Sequence, residues 1–403
     1  MKKIFLMAML AALPLSAMAQ YEEGSENGVV SLAGREGFSI QSKRGDFVFK
    51  PYLLVQTAAN INWYDDEGLD KAYNQDNLAN SGFSVPYAVL GFTGKAWGRV
   101  SFNLSINAAA SGGAILQQAW IDVSTRDEFA VRIGKFKTPF SHGYLTTLGE
   151  TMMPTLPTSL TAAVIMPYSL NAVTPNIGTG FDLGVEIHGF AAGKFGYEIG
   201  IFNGTGASVN TATKTISDDW HIPSLLYAGR LTFMPKGIMP ATQGNPDRLD
   251  EDKWMVGASA NLNVESESES TNDTRVGLEF AMLKNRLYIG AEAYYMHVGF
   301  TERQKIDETY DYLGGYIQGG YFVAPRVQVA ARYEFFNRNG MDTNGFLNMP
   351  AVGCNYFFKK CNLKLQAMYQ FIGRTGHDTQ LDRDNDDLGV AKHSGTIQLQ
   401  YSF

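Results

Sequence analysis

The chain ends with Thr396-Ile397-Gln398-Leu399-Gln400-Tyr401-Ser402-Phe403, where polar and apolar residues alternate one by one. Successive side chains of a β-strand point to opposite faces of the sheet, so this stretch predicts a strand with one apolar and one polar face. The same alternation recurs around Leu183, Val276 and Val327. After the N-terminal region, no uninterrupted apolar stretch approaches the roughly 18 to 20 residues that a membrane-spanning helix needs. The sequence therefore predicts an all-β fold.

Segments of this kind recur along the chain, and their length is close to the roughly 9 to 11 residues of a tilted strand that crosses a bilayer. We count about sixteen of them. Their expected spans are approximately 46–64, 84–95, 98–109, 115–124, 128–136, 181–190, 194–203, 223–234, 253–263, 274–283, 286–299, 310–323, 325–337, 347–358, 361–373 and 391–403. The sequence thus predicts a transmembrane antiparallel β-barrel of about 16 strands over residues 46–403.

The connections between these segments alternate between short and long. Short ones include Trp97-Gly98 and Ala192-Gly193, and a long one follows Gly373. Outer-membrane barrels have tight periplasmic turns and longer extracellular loops, whereas the turns of a secreted β-sandwich do not sort into two sets. The pattern favours the barrel, although the stretch from Pro235 to Asp252 is long for a periplasmic turn.

The N-terminal residues precede this pattern and have a different character. Lys2 and Lys3, an apolar stretch from Ile4 to Leu15 and the small-x-small triplet Ala17-Met18-Ala19 are typical of a secretory signal peptide over residues 1–19. Residues 20–45 are rich in Gly, Ser and Glu, and we expect an N-terminal periplasmic segment there, either a mobile tail or part of a plug.

Composition excludes several classes of function. With 40 acidic and 33 basic residues the formal net charge is −7, which argues against nucleic acid as a partner, since phosphate backbones are held by clustered Lys and Arg. The two cysteines, Cys354 and Cys361, cannot form a disulfide framework, and a bridge between them stays open. No CxxC, GxSxG or HExxH motif is present, so we expect no cofactor and no enzyme.

A stretch of about forty residues without strand character follows Pro139. Proline cannot donate to a sheet ladder and ends the strand before it. Loops this long in a compact domain are usually functional or disordered, and Met152, Met153 and Leu160 make this one too apolar for a solvated tail. We expect residues of about 138–180 to fold into the lumen as the constriction of the barrel.

Three stretches carry a family resemblance. Gly134-Lys135-Phe136-Lys137-Thr138-Pro139-Phe140, the strand end Phe202-Asn203-Gly204 and the terminal Phe403 resemble the phosphate-selective porin O and P family over nearly the whole mature chain. The resemblance implies a sixteen-stranded outer-membrane porin with an inward third loop. It also implies a homotrimer in contact with outer-membrane lipid and lipopolysaccharide, with Phe403 as part of the signal for the barrel-assembly machinery. The expected location is the outer membrane of a Gram-negative bacterium.

A pore that selects phosphate should line its constriction with Arg and Lys. On the predicted lumen face, the basic residues are Arg99, Arg132, Arg230, Arg275, Arg332 and Lys364, with Lys137 at the base of the loop. The acidic ones are Asp122, Asp182, Glu186, Glu198, Glu279, Glu292 and Glu334. Because six basic residues face seven acidic ones, we favour a general channel for small hydrophilic solutes or ions over one for anions such as phosphate. Alternatively, these charges pair with one another across the barrel wall and shape the lumen without selecting any solute.

Two further alternatives stay open at this level. An outer-membrane barrel enzyme or a surface adhesin would show the same strands without a transport role. Acidic clusters at Asp65-Asp66-Glu67, at 265–269 and at 378–387 are expected on the outer side, where carboxylate oxygens could bind calcium or be merely solvated.

Overall fold

The computed structural model describes residues 29–34, 37–64, 79–110, 115–165, 180–204, 225–264, 272–299, 309–337, 346–375 and 392–403. Its strands are β1 Val29–Gly34, β2 Gly37–Ser42, β3 Val48–Tyr64, β4 Ala79–Ala96, β5 Val100–Asn107, β6 Leu116–Arg126, β7 Phe129–Lys137, β8 Phe181–Ala191, β9 Phe195–Phe202, β10 Leu226–Phe233, β11 Asp252–Asn263, β12 Asn272–Lys284, β13 Leu287–Gly299, β14 Thr309–Ala324, β15 Val327–Asn337, β16 Phe346–Lys359, β17 Leu363–Thr375 and β18 Lys392–Ser402.

Strands β3 to β18 form one closed antiparallel barrel. Each pairs with the next along the chain, and β18 returns to β3 with Ile397 opposite Ala59. The predicted sixteen-stranded barrel is confirmed. Because the ring is closed, these strands leave no unpaired sheet edge.

The alternation in the sequence corresponds to a pattern of burial opposite to that of a soluble protein, because the apolar side chains are exposed and the polar ones are buried. Apolar side chains such as Leu278 and Ile397 are exposed, at 66% and 56%, whereas Gln366 and Gln400 are completely buried. A closed barrel has an outer and an inner face, and an apolar outer face suits contact with lipid. The inner face is therefore the polar one, and its amides bond to one another, as in the 2.8 Å hydrogen bond from Gln56 Nε2 to Gln400 Oε1.

Tight turns join the strands at one end of the barrel. Trp97 and Gly98 have φ of 53° and 69°, and Ala192 and Gly193 have φ of 51° and 64°. Two consecutive residues with positive φ are typical of the type I′ turn, whose twist matches that of the strands it joins. The turns predicted at these two places are confirmed.

The predicted N-terminal segments lie partly outside the described residues. The predicted signal peptide at 1–19 lies wholly outside them. Within 20–45, β1 and β2 form a hairpin, and β2 continues onto β3 through Ile40 opposite Phe49. Period-two alternation in the sequence predicts neither β1 nor β2.

Both cysteines are free thiols. Cys354 lies opposite Ala367 in the β16–β17 ladder, while Cys361 lies in the turn that joins these strands. The register thus separates the two residues. The acidic clusters considered for calcium, at 65–67, 265–269 and 378–387, lie outside the described residues.

Candidate pore-lining site

A segment packed against the buried face of the barrel follows β7. We call residues 138–165 the docked segment; it contains helices α1 (His142–Leu145) and α2 (Thr158–Ile165), joined through a short 3₁₀ turn at Leu148–Glu150. Neither helix is long: in the part of the chain that the structure describes, no helix has the length and apolarity to cross a membrane. Residues 166–179 of the predicted loop lie outside the described ranges.

Glu292 on β13 holds the beginning of the docked segment. Its buried carboxylate accepts hydrogen bonds from the Ser141 hydroxyl, from the Gly143 backbone N–H at 2.6 Å and from the Tyr294 and Tyr316 hydroxyls. A Cβ on Gly143 would lie 2.3 Å from the Tyr316 hydroxyl, so only glycine allows this approach. One carboxylate thus satisfies four donors in a site closed to water.

A second carboxylate holds the start of α2. Glu334 on β15 accepts from the backbone N–H groups of Thr158 and Ser159, and the Gln370 amide donates to its other oxygen at 2.8 Å. The first N–H groups of a helix have no partner within the helix, and they favour a negative charge. Glu334 therefore supplies the acceptor that α2 lacks.

Basic and amide side chains bind the carbonyl groups between the two helices. Arg332 donates to the Thr155 carbonyl at 2.8 Å, and Lys364 donates to the Thr151 carbonyl at the same distance. Asn355 donates to the Met152 carbonyl, also at 2.8 Å. The predicted residues Arg332 and Lys364 thus bind protein backbone.

Apolar packing reinforces these bonds. The buried cluster beneath the docked segment consists of Phe140, Tyr144, Leu160, Tyr294, Met296, Tyr312, Tyr316, Phe336 and Met349. His142 of α1 is buried as well, and this burial, together with the nearby Arg230 guanidinium, lowers its pKa from 6.5 to about 3. The imidazole is therefore neutral at pH 7.

Opposite charges pair with one another where β6, β7 and β8 meet. The Arg132 guanidinium lies 2.9 Å from the Asp122 carboxylate and 3.5 Å from that of Glu186. It also stands over the Trp120 ring at 4.8 Å from the ring centre. His188 Nε2 lies 2.8 Å from Asp122. Arg132 keeps 26% of its side chain exposed but shares its charge between two acids.

A second arginine is paired in the same way on β10. Arg230 makes two hydrogen bonds to Glu279, at 2.8 and 2.9 Å, and a third to Glu198 at 2.6 Å. Glu279 belongs to β12 and reaches Arg230 across β11, where Gly257 provides the space: a Cβ there would lie 2.8 Å from Glu279 Cγ. Glu198 stays 28% exposed.

The remaining predicted residues are placed differently. Arg99 is exposed in the tight turn before β5, and Arg275 is buried on β12. Lys137 donates to the backbone carbonyls of Tyr144 and Thr146 at the beginning of the docked segment. Sequence reasoning missed Ser141 and Tyr294, although period-two alternation puts Tyr294 on the same face as Glu292. Within the described ranges, no group of three or more His, Cys, Asp or Glu side chains could hold a metal ion.

Comparison with known proteins identifies a family that matches most of the chain. The family described as Phosphate-selective porin O and P matches residues 55–403. A relative from Aquifex aeolicus (strain VF5), described as an uncharacterized protein, is 25% identical over 302 residues, which cover 72% of this chain and 68% of the relative.

Solved structures share the fold at low sequence identity. The anion-selective porin from Comamonas acidovorans superposes with a TM-score of 0.55 at 11% identity, covering 89% of this chain and 100% of the other. The trimer form of OmpT, an outer membrane protein of Vibrio cholerae, gives a TM-score of 0.51 at 13% identity, with coverage of 89% and 99%. At such identities the likeness concerns the fold alone.

Proposed function

Because the chain belongs to the phosphate-selective porin O and P family, we propose that it is a passive diffusion channel for small hydrophilic solutes and ions. Family and barrel fold place it in the outer membrane of a Gram-negative bacterium and point to a channel rather than to an enzyme. One observation carries the proposal: a closed barrel with an apolar exposed face has a polar inner face, and a segment is packed on part of it.

The docked segment narrows the passage in this proposal. Its anchors Glu292, Glu334 and Lys364 lie on β13, β15 and β17, so it covers that side of the inner wall. The facing strands β6 to β9 keep partly exposed charges at Arg132 and Glu198. Solutes then pass along this wall, between the paired charges and the docked segment.

Four basic residues of the inner wall favour general diffusion over phosphate binding. A phosphate that leaves water must be compensated by charge-assisted donors. Arg132 and Arg230 each pair with two carboxylates, whereas Arg332 and Lys364 donate to carbonyl groups of the docked segment. A phosphate ion would have to displace these protein acceptors. This argues for weak charge selectivity despite the family's description.

We further infer the partners from the fold and family. The trimer form of OmpT from Vibrio cholerae supports a homotrimer. Contact of this trimer with outer-membrane lipid and lipopolysaccharide is part of the same proposal. The exposed apolar face suits either lipid or a neighbouring protomer. The C-terminal strand with Phe403 is the segment proposed for recognition by the barrel-assembly machinery.

Swelling of proteoliposomes tests the proposed function. Vesicles that contain the folded protein should swell in isotonic solutions of small neutral sugars, at a rate that falls as the sugar becomes larger, because the narrowed lumen sieves by size. Vesicles with heat-denatured protein are the control. If the folded protein, recognised by its heat-modifiable migration on a gel, gives no swelling with the smallest sugar, an enzyme or adhesin becomes the better interpretation.

A further inference from the structure

One connection at the tight-turn end of the barrel is long. We call residues 234–251, between β10 and β11, the turn-side segment. Its first residue, Met234, donates its N–H to the Lys194 carbonyl beside the Ala192-Gly193 turn, and the Glu251 carbonyl accepts from Asn285 in the next tight turn. Both ends therefore lie at the end of the barrel where the other described connections are short.

The turn-side segment reaches strands on another part of the ring. The Gln243 carbonyl accepts from the Gln328 amide on β15 at 3.2 Å, and the Gly244 carbonyl lies 3.6 Å from the Cys361 thiol in the β16–β17 turn. Asp247 forms an ion pair with Lys360 in the same turn. In ring order, β16 stands five strands from β11, so the segment crosses the mouth of the barrel.

The turn-side segment is also bonded to the docked segment. Thr147 donates its backbone N–H to the Ala241 carbonyl, and Gln243 donates its own to the Glu150 carbonyl, both at 3.0 Å. The Gln243 side chain accepts from the Met152 N–H at 3.3 Å. Gln243 is only 3% exposed, and Met234 and Met239 share a buried cluster with Met152 and Met153. Burial of this kind is expected of a fixed element, not of a solvated turn.

We propose that the turn-side segment is a second pore-constricting element, which enters the barrel from the tight-turn end and fixes the docked segment in place. This inference rests on the proposed channel function. Two segments that are bonded to each other and to β15–β17 remove that side of the inner wall from the solute path. The turn-side segment then helps to set both the width of the passage and the stability of the docked segment.

The first test removes the segment. Lys236 and Asp252 already form an ion pair, so replacing residues 237–251 by Asn-Gly links two neighbouring positions through a favoured hairpin turn. A milder variant is Gly244→Val, whose Cβ would lie 2.4 Å from the Gln328 amide. Gly229→Ala is the matched control, because its Cβ meets nothing within 4 Å. Heat-modifiable migration identifies the variants that fold.

Two independent measurements report on the turn-side segment. Single-channel conductance in planar bilayers reports the width of the passage. Labelling of Cys361 by a maleimide, in a Cys354→Ser background, reports whether the Gly244 region still covers the thiol. Burial raises the pKa of Cys361 from 9.0 to about 12, so the covered thiol stays protonated and reacts slowly.

The replacement is expected to raise conductance by at least about two-fold and to accelerate Cys361 labelling by at least about ten-fold. Gly244→Val should move both readouts in the same direction, and Gly229→Ala neither. A folded replacement variant with wild-type conductance overturns the inference, as does wild-type Cys361 that reacts as fast as in the denatured chain. If only the replacement variant conducts, the inference holds and the wild type is not an open channel; if neither conducts, both proposals fail.

Discussion

Replacing Glu292 by alanine is expected to release the beginning of the docked segment and to raise single-channel conductance by at least about two-fold. The Glu292 carboxylate is the acceptor for the Ser141 hydroxyl, the Gly143 N–H and two tyrosine hydroxyls. Without it these donors are buried and unsatisfied, at a cost of about 1–3 kcal/mol for each that finds no other acceptor. Release of the docked segment from the wall exposes these donors to water again. The variant therefore favours the released segment and a wider passage.

Two companion variants make the Glu292 result interpretable. Glu292→Gln keeps an acceptor oxygen but turns one acceptor site into a donor, so we expect an intermediate conductance. Glu128→Ala removes an exposed carboxylate from the β6–β7 turn and should leave conductance unchanged. Wild-type conductance in a folded Glu292→Ala variant would show that the docked segment does not depend on this anchor.

Arg230→Ala is expected to make the channel strongly cation-selective and less stable. The substitution leaves the Glu198 and Glu279 carboxylates without the guanidinium to which both are bonded. Removing one partner of a largely buried ion pair costs about 3–5 kcal/mol, and the uncompensated acids attract cations to the wall. The reversal potential under a KCl gradient measures the selectivity, and the midpoint of thermal unfolding measures the stability.

An arginine outside the inner wall provides the control for Arg230. Arg326 is exposed in the tight turn between β14 and β15, and Arg326→Ala should change neither the reversal potential nor the unfolding midpoint. If Arg230→Ala and Arg326→Ala have the same reversal potential as the wild type, the charges at Glu198 and Glu279 do not border the solute path.

Period-two alternation predicts the strands, because lipid and lumen impose opposite demands on successive side chains, and the alternation of short and long connections favours the barrel over a sandwich. Period-two alternation failed where this contrast is weak. β4 begins at Ala79, five residues before the expected start at 84, since Ala79-Asn80-Ser81-Gly82 alternates little in polarity. The β1–β2 hairpin was missed for a related reason: residues 20–45 are rich in Gly and Ser, which signal turns and linkers more strongly than strands.

The candidate site was predictable only in part. Period-two alternation along the strands indicates that Glu279, Glu292 and Arg230 share the inner face, but it does not indicate which of these charges form ion pairs. Glu279 reaches Arg230 over the intervening strand because Gly257 leaves space, and Glu292 meets Gly143 only after the docked segment has folded back. The length of the connection after Pro235 was visible in the sequence, whereas its path across the barrel mouth depends on tertiary contacts.

Two measurements on the wild-type channel show whether the pore selects phosphate: the reversal potential under a KCl gradient, and the titration of phosphate into a chloride-filled bilayer chamber. Arginines already paired with carboxylates offer little to a multivalent anion. We therefore expect weak charge selectivity and a chloride current that phosphate does not block. A strongly anion-selective channel that phosphate blocks at low concentration would contradict this expectation, because among the described residues Arg132 or Arg230 would have to leave its carboxylate partners to bind the ion.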